Sequence, residues 1–178
     1  LRAQCKLWLE LGKSGIVTLV LISQGFGFWV GHVPEVPFEW RRFFFSLIGM
    51  LGVAAGSSAL NQIQERNRDA LMPRTAGRPL PSGRLEVGTA QVVSAVSMIL
   101  GLAALGVARP VLVPLGLAAI FLYNGLYTKW WKPRWAYAAI PGSIPGAMPI
   151  WMGFVAANGS IWHPTGLYLF GLLVFWQM

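Results

Sequence analysis

Residues 43–69 read FFFSLIGMLGVAAGSSALNQIQERNRD, and residues 70–83 continue ALMPRTAGRPLPSG. Positions 43–60 are apolar or small, about the length a helix needs to cross a hydrocarbon core of roughly 30 Å. Then an oxygen-bearing side chain recurs at every fourth position: Asn61, Glu65, Asp69. In an α-helix that spacing stacks the three along one face, neighbours roughly 6 Å apart and the outer pair about 12 Å apart. The stretch therefore predicts a membrane helix ending in a file of polar oxygens. Beyond it, Pro73, Gly77, Pro79, Pro81 and Gly83 forbid a regular helix over 70–87, so a structured loop follows. Loops of this length inside a compact bundle tend to be functional.

The rest of the chain has the same character. Of 178 residues, 55% are hydrophobic and 11% charged, a balance that only long apolar segments explain. Such segments lie near 16–33, 43–60, 88–108, 111–127 and 138–157. A sixth begins near Gly166 and stops at Met178 after about 20 Å of helix, too short to cross alone. The expected fold class is all-α: a polytopic transmembrane helix bundle forming one membrane domain over 1–178. It comprises five spans, a truncated sixth and a motif loop over 61–88. The short last segment implies a chain cut short at its C-terminus, and a start at Leu1 rather than Met implies the same of its N-terminus. In the fifth span Pro141, Gly142, Pro145, Gly146 and Pro149 should kink or loosen the helix. In a membrane that is tolerated beside protein or a polar cavity, so this span should line a cavity.

Charge gives an orientation. Of the 14 Lys and Arg, eleven fall on one side if the spans alternate: Arg2, Lys6 and Lys13, the five arginines between 61 and 88, and Lys129, Lys132 and Arg134. Arg41, Arg42 and Arg109 fall on the other. The positive-inside rule makes the eleven-residue side cytoplasmic, and with it the Asn61–Asp69 face. The net charge of +8 is thereby accounted for without a nucleic-acid partner. A lone cysteine, Cys5, excludes a disulfide framework, a CxxCH haem attachment and a cysteine zinc site. The first apolar run is too long, and lacks the small-residue cleavage pattern, for a simple signal peptide. A bacterial inner membrane fits best.

Asn61, Glu65 and Asp69 offer hard oxygens of the kind Mg²⁺ takes, a few carboxylates completed by phosphate oxygens. The alternative is a solvated helix end with both acids paired to arginines. Against it, the chain has only six acids, and two stand four apart, in line with an amide, beside a stiff Pro/Gly loop. Arg66, Arg68, Arg74 and Arg78 crowd the same place with guanidinium groups able to clamp phosphate. Arg74 and Arg78 are held between Pro73 and Pro81. Metal and arginine together would neutralise a pyrophosphate as it leaves.

Tyr123, Tyr127 and Lys132 form a second cluster at the cytoplasmic end of the fourth span. They read either as an interfacial aromatic belt with a snorkelling lysine or as function. In the functional reading Lys132 binds pyrophosphate and the tyrosine rings stabilise an allylic cation. His32 and His163 fall on the external side, away from the motif. Met148 and Met152 suit cavity packing.

The pattern Asn-x-x-x-Glu-x-x-x-Asp-x-x-Met-x-Arg-Thr-x-x-Arg-Pro-Leu-Pro-x-Gly, Asn61 to Gly83, resembles the first motif of the protoheme IX farnesyltransferase (haem O synthase) family. That family lies within the intramembrane, UbiA-type prenyltransferase superfamily. The opening Trp-Leu-Glu-Leu-Gly-Lys-Ser-Gly-Ile-Val, residues 8–17, is similar to the family's usual start, with Ser14 where proline is common. Tyr-Thr-Lys-Trp-Trp-Lys, ending at Lys132, is similar to its Tyr-Thr-x-x-Leu-Lys element, with Trp131 in place of leucine. The Pro/Gly-rich stretch 141–149 and the closing Phe-Trp-Gln agree too. Glu65, where other branches carry Asp, favours the haem branch.

The resemblance implies a UbiA-like bundle of nine spans. It implies farnesyl diphosphate bound through Mg²⁺ to Asn61, Glu65 and Asp69, with help from Arg74, Arg78 and Lys132. Loss of pyrophosphate, attack by a haem B vinyl group and addition of water would give haem O. A haem-delivery protein or a haem A synthase is the implied partner, beside the lipid bilayer itself. A second aspartate-containing region, beyond the sixth span in the family, is not in these 178 residues. The chain alone is therefore expected to be inactive and its complete parent active. Two alternatives stand: a prenyltransferase acting on an aromatic quinone precursor, and a non-catalytic membrane carrier of haem or isoprenoid.

Overall fold

The computed structural model describes residues 2–178, with side chains from Lys6 onward. Leu1 and the side chains of Arg2 and Cys5 lie outside the described residues. The described chain is helical throughout, with no strand among the described residues. Helix α1 covers Arg2–Leu11, α2 Ser14–Gly31, α3 Trp40–Ala70 and α4 Val87–Ala108. Helix α5 covers Leu112–Ile120 and passes directly into a π-helix, Phe121–Trp131, and the short α6, Lys132–Arg134. Helices α7, Ala139–Asn158, and α8, Pro164–Gln177, close the order.

Four of these, α2, α3, α4 and α7, are each long and apolar enough to cross a membrane. The expected span 111–127 is helical from end to end, but it is divided between α5 and the π-helix. Helix α3 has 31 residues, about 46 Å at a rise of about 1.5 Å per residue. It exceeds the hydrocarbon thickness, so its last three turns carry Asn61, Glu65 and Asp69 past the apolar zone while still helical. The loop proper thus runs 71–86, a series of turns beginning after Ala70. Its Leu80 packs with Leu11, Ala59 and Ala90, which ties the loop to α1, α3 and α4.

Helix α7 keeps its helical path through Pro145 and Pro149, although each removes one i→i−4 bond. A neighbour holds it in place. Helix α2 runs alongside so closely that a Cβ on Gly27 would lie 2.0 Å from the Ile150 carbonyl oxygen, and one on Gly153 equally close to that of Gln24. Only glycine permits that approach. The core gathers Phe28, Met50, Val53, Leu105, Leu112, Met148, Met152 and Val155. Large apolar side chains on the outer faces, such as Ile16, Leu19 and Ile22 on α2 and Val92, Val96 and Ile99 on α4, remain exposed. A water-soluble bundle would cover such surface; lipid does not require it.

The two ends of the bundle differ. One collects the start of α2, the end of α3, the π-helix and the start of α7. The other holds His32, Arg109 and His163, as the charge pattern places them. There the Arg109 guanidinium donates to the carbonyls of Ala156 (2.8 Å) and Ala157 (3.0 Å) and so closes the end of α7. The His163 Nδ1 accepts from the Thr165 amide, capping α8.

Candidate functional site

The file of oxygens on α3 is buried rather than solvated: Asn61 is 1% exposed, Glu65 and Asp69 6% each. Each is met by a cation from a different part of the chain. The Lys13 ammonium, in the turn before α2, donates to Asn61 Oδ1. Lys132, at the end of the π-helix, stands 2.6 Å from Glu65 Oε1. Arg78, in the loop, donates to Asp69 Oδ2 at 2.6 Å. Both acids are paired, as the solvated-end alternative supposed, but they are paired inside the protein. A buried carboxylate is tolerated only with such a partner. Burial and then the Arg78 guanidinium draw the Lys13 ammonium down to about 8, against the pull of Glu65.

The amide of Asn61 is fixed from the opposite side. Its Nδ2 donates to Thr128 Oγ1 (3.1 Å), whose own proton goes to the Tyr123 carbonyl (2.8 Å). Asn124 Nδ2 donates to the Ser57 carbonyl (2.9 Å), and Gln64 Nε2 to the Asn124 carbonyl (3.2 Å). These bonds stitch α3 to the π-helix. The wider helix has a direct consequence for the site. In an α-helix, at about 100° per residue, Lys132 would sit roughly opposite Tyr123 and Tyr127. The i→i+5 bonding of a π-helix turns only roughly 80° per residue, which returns Lys132 to their face. There the two tyrosine rings stack, centroids 5.9 Å apart and planes 16° from parallel. The Lys132 Nζ lies 6.0 Å from the Tyr127 ring centre. Single-turn π-bulges are frequent at functional sites, and this one extends over eleven residues.

Two cavities meet here. A polar one of 380 Å³ is lined by Lys13, Glu65, Arg68, Asp69, Arg74, Arg78 and Lys132, with Met72 and Pro133. An apolar one of 310 Å³ runs inward between α2, α3 and α7, from Asn61, Tyr123 and Tyr127 to Met50, Met148 and Met152. Gly142, Pro145, Gly146 and Pro149 line it, as expected of this span. Among the described residues, only Lys13 and Lys132 border both cavities.

Asn61, Glu65, Asp69, Arg74, Arg78, Tyr123, Tyr127 and Lys132 therefore come together, with Arg74 on the exposed rim. Arg66 does not join them: it is exposed and lines neither cavity. Lys13 was counted as flanking charge and within the opening 8–17, and Thr128 within the Tyr-Thr element, but neither was assigned to the site; Asn124 carried no signal at all. A further cue to Lys13 is Gly12-Lys-Ser-Gly15, a break in helix propensity directly before the first apolar run. No group of three or more His, Cys, Asp or Glu converges among the described residues. Two carboxylates and an amide make a thin donor set, unsuited to a closed cage. It fits a Mg²⁺ that takes its remaining ligands from phosphate and water.

The arrangement suits an amphiphile with a strongly anionic head and an apolar tail. The protoheme IX farnesyltransferase of Bdellovibrio bacteriovorus is 42% identical over 173 residues, 97% of this chain and 59% of that protein. Across eight of the curated relatives it matches, the chain spans between 54% and 60% of their length. Among solved structures, a digeranylgeranylglyceryl phosphate synthase superposes with a TM-score of 0.84 at 19% identity, over 98% of this chain and 60% of that one. A UbiA homolog from Archaeoglobus fulgidus, bound to GPP and Mg²⁺, superposes at 0.75 and 19%, over 96% and 60%. These two likenesses show the fold. The model of the UbiA prenyltransferase family matches residues 19–178: this chain belongs to that family, and it is an integral membrane protein.

Proposed function

We propose that this chain carries the diphosphate-binding part of a protoheme IX farnesyltransferase, which makes haem O from haem B and farnesyl diphosphate. The observation that carries the reading is the meeting of a cation-rich cavity with an apolar one at Lys13 and Lys132. Haem B as acceptor is supported by the name of the Bdellovibrio relative. Asn61, Glu65 and Asp69 would hold Mg²⁺, which when bound supplies neutralisation of the departing diphosphate. Arg78 and Lys132 turn from the carboxylates to the diphosphate oxygens, and Arg74 closes from the rim. The prenyl C1–O bond breaks, and its electron pair leaves with the diphosphate. The faces of Tyr123 and Tyr127 steady the allylic cation. The vinyl carbon of haem B gives its π pair to C1. Water then adds to the cation left beside the porphyrin and releases a proton, giving the hydroxyethylfarnesyl group.

Eleven basic residues at the site's end of the bundle support a cytoplasmic orientation in a bacterial inner membrane. A protein that delivers haem B, or a haem A synthase that consumes haem O, is the expected partner. The test uses the complete protein in membranes with haem B, farnesyl diphosphate and Mg²⁺. Haem O detected by mass, and lost in Asp69→Asn, is the expected result. Turnover of a quinone precursor instead would change the acceptor, and binding without turnover would make the protein a carrier.

A further inference from the structure

Among the described residues, Lys13 is the only non-glycine with a positive φ, at 53° with ψ 56°. Such a conformation is unfavourable for a side-chain-bearing residue and persists only when its surroundings over-determine it. They do so here. Gln62 Nε2 donates to the carbonyls of Glu10 (2.8 Å) and Leu11 (2.9 Å), and Arg84 pairs with Glu10 at 2.8 Å. Leu11 is buried against Ala59 and Leu80. The end of α1 is thus clamped to α3 and to the loop, and the clamp aims one amine at the seam between the cavities. Its hydrogen-bond acceptor there is the neutral amide of Asn61, whereas Lys132 and Arg78 face carboxylates.

A prenyl diphosphate lying with its head in the polar cavity and its chain in the apolar one has its polar–apolar junction at that seam. That junction is the C1–O–P ester. We propose that Lys13 is a catalytic residue: its ammonium contacts the ester oxygen between the prenyl carbon and the first phosphorus, opposite Lys132. When the C1–O bond breaks, the electron pair stays on that oxygen, and the contact strengthens as its charge grows. This inference rests on the prenyl diphosphate reading above.

The test compares Lys13→Gln, Lys13→Arg and Lys13→Gly in the complete protein, reconstituted with Mg²⁺. Lys13→Gln keeps a donor for Asn61 but no charge, and its kcat should fall roughly 100-fold, the loss typical of one oxyanion donor. The affinity for farnesyl diphosphate should fall much less, and that for farnesol, which has no diphosphate, not at all. Lys13→Arg should recover part of the rate. Lys13→Gly should be as slow as Lys13→Gln yet unfold at a higher temperature than it does, because glycine relaxes the left-handed backbone. A residue that only orients Asn61 would leave Lys13→Gln near wild type, and that result would overturn the proposal. Failure of the wild type to bind farnesyl diphosphate would instead overturn the reading on which it rests.

Discussion

The polar and apolar cavities share Lys13 and Lys132 but are built in opposite ways. In the polar cavity each carboxylate is held by a cation: Glu65 by Lys132, Asp69 by Arg78. Such pairs can exchange partners, because the carboxylates and the cations each have a natural counterpart in a metal diphosphate. The apolar cavity has no such pairs. Its shape comes from Gly142 and Gly146, which leave room for the Tyr127 ring and the Gln177 side chain, and from methionine side chains that fill the far end. One cavity is chemically selective and rearrangeable; the other is chemically indifferent and sterically fixed. Substitutions should therefore act on turnover in the first and on substrate size in the second.

The largest effects belong to the polar cavity. In the complete protein, Glu65→Gln or Asp69→Asn should each lower kcat roughly a thousandfold, read as haem O formed per minute. Chelation of Mg²⁺ should abolish turnover of the wild type, and added Mg²⁺ should restore it. If Asp69→Asn retained more than a tenth of the rate, the division of labour between the cavities would collapse.

Next comes the register of the π-helix. Deleting Gly125 removes one residue between Tyr123 and Lys132 and should turn Lys132 away from Glu65. Misplacement of a reacting group on that scale costs about 100-fold. Lys132→Arg, which keeps position and charge, should cost far less. Equal losses in both would mean that the lysine's identity, not its placement by the wider helix, governs the site.

What sequence could foresee follows the same physical lines. Asn61, Glu65 and Asp69 were legible because an α-helix repeats nearly every four residues, and α3 does continue to Ala70. The Pro/Gly stretch after it was legible because those residues forbid a helix. Lys132 could be assigned to an end of the bundle but not to a face, since the π-helix that aligns it depends on bonds between Asn124, Thr128 and α3 that no local pattern encodes. The place of Lys13 in the site was illegible for a related reason. Its left-handed backbone is imposed from outside by Gln62 and Arg84, where a glycine or asparagine would have announced it. Arg66 was placed in the site by proximity in sequence, and its face of the helix turns it outward.

A smaller effect is expected where the cavities touch the tyrosines. A Cβ on Gly142 would lie 2.6 Å from the Tyr127 ring, a contact relieved only by moving the ring. Overpacking of that kind costs about 1–3 kcal/mol. Gly142→Ala should therefore weaken binding of farnesyl diphosphate about tenfold, measured by calorimetry. Binding of inorganic diphosphate, confined to the polar cavity, should be unchanged.

The smallest effect lies at the far end of the apolar cavity, and it separates the two cavities most cleanly. Eleven residues of α3 separate Asn61 from Met50, roughly 16 Å at about 1.5 Å per residue. An extended farnesyl chain, about 14 Å on ordinary carbon–carbon bond lengths, would reach nearly to the methionines. Met152 is fully buried and backed by the Leu105 and Leu112 side of the core, so the end wall cannot retreat by itself. Met152→Ala opens that wall, and an isoprene unit more can enter. The ratio of geranylgeranyl to farnesyl transfer should rise about fivefold, at the low end of the roughly 1–3 kcal/mol that a hydrophobic pocket discriminates. Met152→Leu, close in volume, should leave the ratio alone. The rate with geranyl diphosphate, too short to reach the wall, should be the same in all three proteins. A change in that rate would show that the methionine acts on the head of the substrate, and the two cavities would then be one.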